Sequence, residues 1–372
     1  MPELLQCSAV VAVKKDNIGQ KTTQRVLEQN MSRPVVWHNF INTGSWCTLM
    51  LLAATVISLE LGAAQPKDYA NIKGPNACAE CHEKSADIWQ KSRHFLTFSR
   101  MPRSKEGREI SDRMGVKRIK ADSLCLDCHF TSQETPERTV TIAGISCESC
   151  HSASGNWLER HSEFSGKKES EETEAEIKQR WADSEAAGMI RPHMIYTLAK
   201  NCYSCHITPN EELVNRGKHS PGSPFELLSW SQGEIRHSVW NNETKSNLEA
   251  SAEHKRMLFI VGAAVELEES LRALGAATAK AKYAAVMAER VQLSARRMAA
   301  IAKLVPVHEL TEIVALLSSV KPSLNNGLAL STVADQIGSH ARQFSGSYDG
   351  SDFTAVDQVL PSAETYKGTG TP

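Results

Sequence analysis

Four short strings constrain this chain more than anything else in it: "CAECH" at 78–82, "CLDCH" at 125–129, "CESCH" at 147–151 and "CYSCH" at 202–206. Each is C-x-x-C-H, and the chain's own cysteine and histidine frequencies predict roughly 0.01 such motifs by chance. Together they use Cys78, Cys81, Cys125, Cys128, Cys147, Cys150, Cys202 and Cys205, eight of the ten cysteines. On a turn of helix, two cysteines three residues apart face one edge of whatever lies beside them, and the next residue swings beneath it. Zinc could take the pairs as two all-cysteine tetrahedral sites, but zinc does not require a histidine after every pair. Haem uses all three residues: both thiols as thioethers on its vinyl groups, the histidine as an axial ligand. The motifs therefore predict four covalently bound haems c, with His82, His129, His151 and His206 as proximal ligands.

A six-coordinate iron needs a second ligand, and nine of the thirteen histidines lie outside the motifs. His94, His161 and His237 fall within the haem-bearing sequence and are the candidate distal ligands. His219, in "NRGKHSPGS", and His193, in "RPHMIY", compete for the remaining iron. His254, His308 and His340 lie in haem-free sequence and are expected at the surface. Two nitrogens on one iron are only ~4 Å apart, whereas a helix through 83–94 separates His82 from His94 by ~18 Å. His94 thus serves a haem other than the one His82 holds, or none. Aromatics make up only 6% of the chain, so the macrocycles are expected to supply apolar bulk that side chains do not.

"WCTLMLLAATVISLELGAA" (46–64) is an apolar run closing on small residues, as an export signal does. Cleavage after Ala64 removes Cys7, Cys47 and His38, and "MSRPVVWHNF" points to Met31 as the true start of a leader spanning 1–64. A retained run would instead anchor the chain to a membrane. Export, to the periplasm, fits haem ligation outside the cytoplasm. The mature chain divides into a four-motif part (65–243), a motif-free helical extension (244–322) and a tail rich in Gly, Ser, Asp and Thr (323–372), expected to be loose and flexible.

Within the first part, "SADIWQKSRHFLTFSRM" puts Ile88, Trp89, Ser92, Phe95 and Leu96 on one helical face. "RTVTIAGISC" reads as a short strand, "GKKESEETEAEIKQRWADSEA" as a solvated helix or loop, and "PHMIYTLAKN" as a helix delivering the fourth motif. In the extension, Leu258, Val261, Val265, Leu271 and Leu274 predict one helix. Tyr283, Met287, Val291, Met298 and Ile301 predict a second, and Pro306 punctuates before a third at 307–320. These stripes are most simply bundle core. With 42 basic and 43 acidic residues, the charge balance argues against nucleic acid as a partner.

Residues 74–240 resemble the tetrahaem cytochrome c-554 family, on the four motifs in order, "W…H" after the first (Trp89, His94), "GISCESCH" at the third and a histidine shortly beyond it (His161). The resemblance implies a mainly α, multihaem cytochrome c domain with little β structure, here followed by a bundle-like helical extension. It implies bis-histidine ligation, with His161 on the first haem, His94 on the fourth and His237 on the third. It also implies an open sixth position at the second haem, which His219 is placed to close.

Two activities follow. An electron carrier would pass electrons between redox partner proteins through low-spin haems, its propionates adding negative charge. A haem enzyme would use an open second haem to act on nitric oxide, nitrite or hydroxylamine. The extension at 244–322 could also dock the chain into a larger complex.

Overall fold

Residues 68–121, 124–239 and 246–368 are described by the computed structural model, so the expectations about the leader, Met31 and His38 lie outside the described residues. The motif-bearing half is built from short helices. Helix α1 (Pro75–Ala79) begins with proline, whose missing N–H costs nothing at a helix start. It is followed by α2 (Glu83–Gln90) and α3 (Arg93–Arg100). The single helical face expected across 85–101 is thus broken. Ser92 is extended (ψ 159°) and its hydroxyl accepts from the Phe95 N–H, starting a new helix one residue before His94. Helix α4 (Lys105–Met114) is capped by Ser104 and ends on Gly115 at φ 73°, the left-handed conformation that favours glycine.

The second motif lies on α5 (Leu126–His129) and leads directly into β1 (Thr131–Glu134). β1 pairs antiparallel with β2 (Thr139–Ala143), from Thr131 opposite Ala143 to Glu134 opposite Thr139. β2 is the strand expected in "RTVTIAGISC". Its partner "TSQE" was not expected, because it carries no apolar alternation. The third motif forms α6 (Cys147–His151) behind a Ser146–Ser149 capping box, and His161 sits on α7 (Leu158–Ser162).

The charged run becomes α8 (Glu174–Ala186), and it is not wholly solvated. Arg180 is buried, pairs with Glu172 at 2.6 Å and donates to the His161 carbonyl at 2.8 Å. A guanidinium can be buried only when paired this way, and the sequence does not reveal its partner.

Helix α9 (Ile195–His206) carries the fourth motif at its C-terminus, followed by α10 (Glu211–Asn215) and α11 (Leu227–Ser231). The extension folds as α12 (Ala252–Gly275), α13 (Lys282–Leu304) and α14 (His308–Leu317), with each apolar stripe turned inward. One core runs from Ile195 on α9 to Val356, so residue 243 is not a boundary of packing. Tyr203, between the two cysteines' positions on α9, is fully buried in that core.

The loose tail is a correction. Residues 327–347 form α15 (Gly327–Ser347), with Leu330, Ala334, Ile337, Ala341 and Phe344 buried on one face against α12. Composition suggested disorder, but the apolar residues recur every three or four positions, which is what packing reads. Gly338 lets the helices approach closely: a Cβ there would lie 2.7 Å from Glu268 Oε1 and from the Tyr196 hydroxyl. Beyond α15, Asp357 holds buried Arg256 bidentately at 2.7 and 2.8 Å. The Lys367 carbonyl accepts from the Glu234 N–H, and its N–H donates to the Ser229 carbonyl.

Glu268 on α12 is 1% exposed and accepts from the Tyr196 hydroxyl (2.9 Å) and Lys200 Nζ (2.7 Å) of α9 and from Arg272 (2.8 Å). Removing one partner of such a buried network leaves the others uncompensated, at about 3 kcal/mol or more. Glu268→Ala is expected to lower the thermal midpoint by at least about 5 °C. A melt within a degree of the parent would show that the network is stabilised elsewhere. Among the described residues, no helix is long and apolar enough to cross a membrane.

Candidate haem sites

None of the eight motif cysteines is in a disulfide. Their neighbours order the motifs in space. Cys78 of the first neighbours Cys147 of the third, close enough for each thiol to shift the other's pKa. The Asn201 amide beside the fourth motif donates to the Cys150 carbonyl at 3.0 Å, and Cys205 Sγ lies 3.9 Å from the Asp127 carbonyl of the second. The contacts run first, third, fourth, second.

Each motif histidine faces one non-motif histidine. Ring centroids are 6.0 Å apart for His82 and His161, 6.2 Å for His129 and His219, 6.1 Å for His151 and His237, and 6.3 Å for His206 and His94. An iron about 2 Å from one nitrogen of each ring, each nitrogen about 1 Å from its ring centre, sets the centroids about 6 Å apart. His193, the rival to His219, instead stacks on Trp181 with its ring plane 8° off parallel, 3.6 Å from a Glu185 oxygen.

Hydrogen bonds fix which nitrogen is available. Nδ1 of His151 lies 2.7 Å from the Ile190 carbonyl, Nδ1 of His219 2.7 Å from the Ser220 carbonyl and Nδ1 of His237 2.8 Å from the Ile235 carbonyl. A carbonyl only accepts, so Nδ1 carries the proton and Nε2 keeps its lone pair, the tautomer a metal needs. His206 Nδ1 pairs with the Ser223 hydroxyl at 2.8 Å. Burial lowers the pKa of His82, His94 and His151. His161 is pushed down to about 4 by burial and then by the Arg191 charge, and His206 to about 4 by burial and then by His94. Neutral imidazoles are the ligating form.

Long-range packing positions these rings. Trp89 Nε1 donates to the Ile145 carbonyl at 2.7 Å, and the Ile145 N–H donates to the His94 carbonyl at 3.1 Å, so α2 and α3 grip the lead-in to the third motif. Gly144 is obligatory there, since a Cβ would lie 2.4 Å from the His94 carbonyl oxygen. Arg113 of α4 donates to the Gly217 carbonyl at 2.7 Å and pins the turn that presents His219. The His206 ring stacks on Phe225 at 4.3 Å and meets the Trp230 edge at 4.9 Å.

Sequence reasoning missed Phe225, Trp230, Ser223 and Glu148. The last lies between the third motif's cysteines, where C-x-x-C-H leaves identity open, so no local signal marked it. The expectation that His254, His308 and His340 sit at the surface holds only for His308. His254 and His340 are half-buried, and His340 faces His308 at 6.2 Å.

Residues 77–152 match the family model for cytochrome c554 and c-prime. No curated protein and no solved structure matches the chain. The matched stretch spans the first three motifs, its fold is mainly helical with one two-stranded sheet, and its thiols and imidazoles suit covalently held haem c. Over residues 77–152 the chain is therefore similar to the cytochrome c554 and c-prime family, which supports a c-type cytochrome with covalently held haem c.

Proposed function

We propose that the protein carries electrons between redox partner proteins through four covalently bound haems, each iron held between two histidines. The pairs are His82 with His161, His129 with His219, His151 with His237, and His206 with His94. The observation that carries this reading is that four non-motif histidines each face a different motif histidine at 6.0–6.3 Å. Each haem, when bound, supplies a one-electron iron couple. The chain's own residues hold neutral imidazoles in fixed orientation, so little rearranges when an electron passes, and the backbone carbonyls on Nδ1 tune ligand basicity.

The contact order of the motifs suggests a path from first to third to fourth to second. An enzyme acting on nitric oxide, nitrite or hydroxylamine would need a vacant position at the second haem, and the His219 ring opposite His129 favours saturation instead. The reading includes export to the periplasm, on the apolar run at 46–64 and the chemistry of haem attachment.

Two measurements test it. The mass of the mature protein should exceed that of its polypeptide by four haems. The ferric optical spectrum should be low-spin throughout, and the spectrum of the reduced protein should be unmoved by carbon monoxide. A ferric high-spin band, or a shift on adding carbon monoxide to the reduced parent protein, would refute full bis-histidine ligation.

A further inference from the structure

The chain's net charge is −1, yet residues 100–120 hold eight arginines and lysines against three acidic residues. The fold gathers these cations. Arg108, Lys117, Arg118 and Lys120 line a groove of about 700 Å³ between α4 and the loop that follows it, with Asp112 as the acidic side chain among its lining. Lys120 lies over the Phe98 ring, 3.2 Å from its centre. Burial and the neighbouring Arg103 charge lower its pKa, as happens where like charges meet. The groove adjoins a redox centre. Ile119, on its wall, packs with Phe98 and Met101 onto buried Cys125 of the second motif.

We propose that this groove is the docking surface for an acidic protein redox partner, and that the second haem is where that partner exchanges electrons. The inference rests on the carrier reading above. A partner of this chemistry fits better than a small anion. Arg103, Arg108, Lys117 and Arg118 are exposed and spread over a helix and a loop, rather than converging from buried positions on one point. Such an array attracts an oppositely charged face over distances comparable to the ~10 Å Debye length at 0.1 M salt, which raises encounter rates.

The test uses the haem-loaded protein and a reduced plant-type [2Fe–2S] ferredoxin, an acidic one-electron donor, in stopped flow. At low salt, Lys117→Glu/Arg118→Glu is expected to lower the second-order rate of haem reduction about tenfold. Parent and variant rates should converge as salt rises. Reduction by a photoreduced neutral flavin should proceed equally in both. Arg108→Glu, a separate exposed position, is expected to act in the same direction, so a folding failure of the double variant leaves the question answerable.

An unchanged ferredoxin rate in well-folded variants overturns the proposal. So does a parent rate indifferent to salt. A shifted haem potential with an unchanged ferredoxin rate also overturns it, and would assign these cations to the haem propionates. Failure of the neutral flavin to reduce the parent would instead remove the carrier reading itself.

Discussion

Replacing His219 with alanine is expected to turn about a quarter of the haem in the purified ferric protein from low-spin to high-spin, and to create one carbon monoxide site per chain on reduction. The turn carrying His219 is held from two sides. Its own N–H donates to the Leu213 carbonyl, and Arg113 grips the Gly217 carbonyl before it. Nδ1 is committed to the Ser220 carbonyl, so Nε2 faces His129 as a lone-pair donor. Alanine removes that donor without disturbing the pinned turn. The rival donor, His193, is instead stacked against Trp181. His193→Ala should leave the spectrum unchanged. A His219→Ala protein that stays wholly low-spin would exclude His219 as a ligand. If His193→Ala gave the high-spin signal instead, the two histidines' roles would be exchanged.

Glu148→Ala should bring the largest loss of stability of any single substitution near the haem motifs. The carboxylate is 4% exposed and accepts from the Lys73 N–H (2.9 Å), the Gly74 N–H (2.7 Å), the Ser154 N–H (2.8 Å) and the Ser154 hydroxyl (2.6 Å). Alanine leaves four donors without acceptors, each costing about 1–3 kcal/mol where water cannot reach. Some relaxation is expected, so the net loss is on the order of 3 kcal/mol, lowering the thermal midpoint by roughly 6–12 °C. Glu148→Gln keeps one acceptor oxygen and should recover part of the loss. Because Lys73 and Gly74 lead into α1, the alanine variant should also load the first haem less completely. A thermal scan together with haem stoichiometry checks both effects, and a melt matching the parent's would refute the buried-acceptor account.

The cofactor chemistry was legible in the sequence because attachment is a local event. In C-x-x-C-H, five consecutive residues suffice to supply both thioether cysteines and a proximal histidine, and no distant residue need be known. The helices of the extension were legible for a similar reason. A stripe such as Leu258, Val261 and Val265 records its own period, and those residues are buried as expected. Composition was a poorer guide than periodicity. The glycine- and serine-rich tail carries the buried row from Leu330 to Phe344, and the charged run contains Arg180, buried against Glu172.

The sequence by itself pointed to covalently held haem c and, in four C-x-x-C-H strings, to four candidate proximal histidines, since those residues are contiguous. It also supplied a short list of candidate distal histidines, because few others share the motif-bearing stretch. Only the tertiary structure decided which of them faces which motif, and that His219 rather than His193 stands opposite His129. Those pairings depend on Arg113 reaching Gly217, on Ile145 reaching His94 and on α9 seating in the core of α12 and α15. Contacts between residues remote in the chain are set by burial and hydrogen-bond satisfaction across the whole molecule, and no local string encodes them.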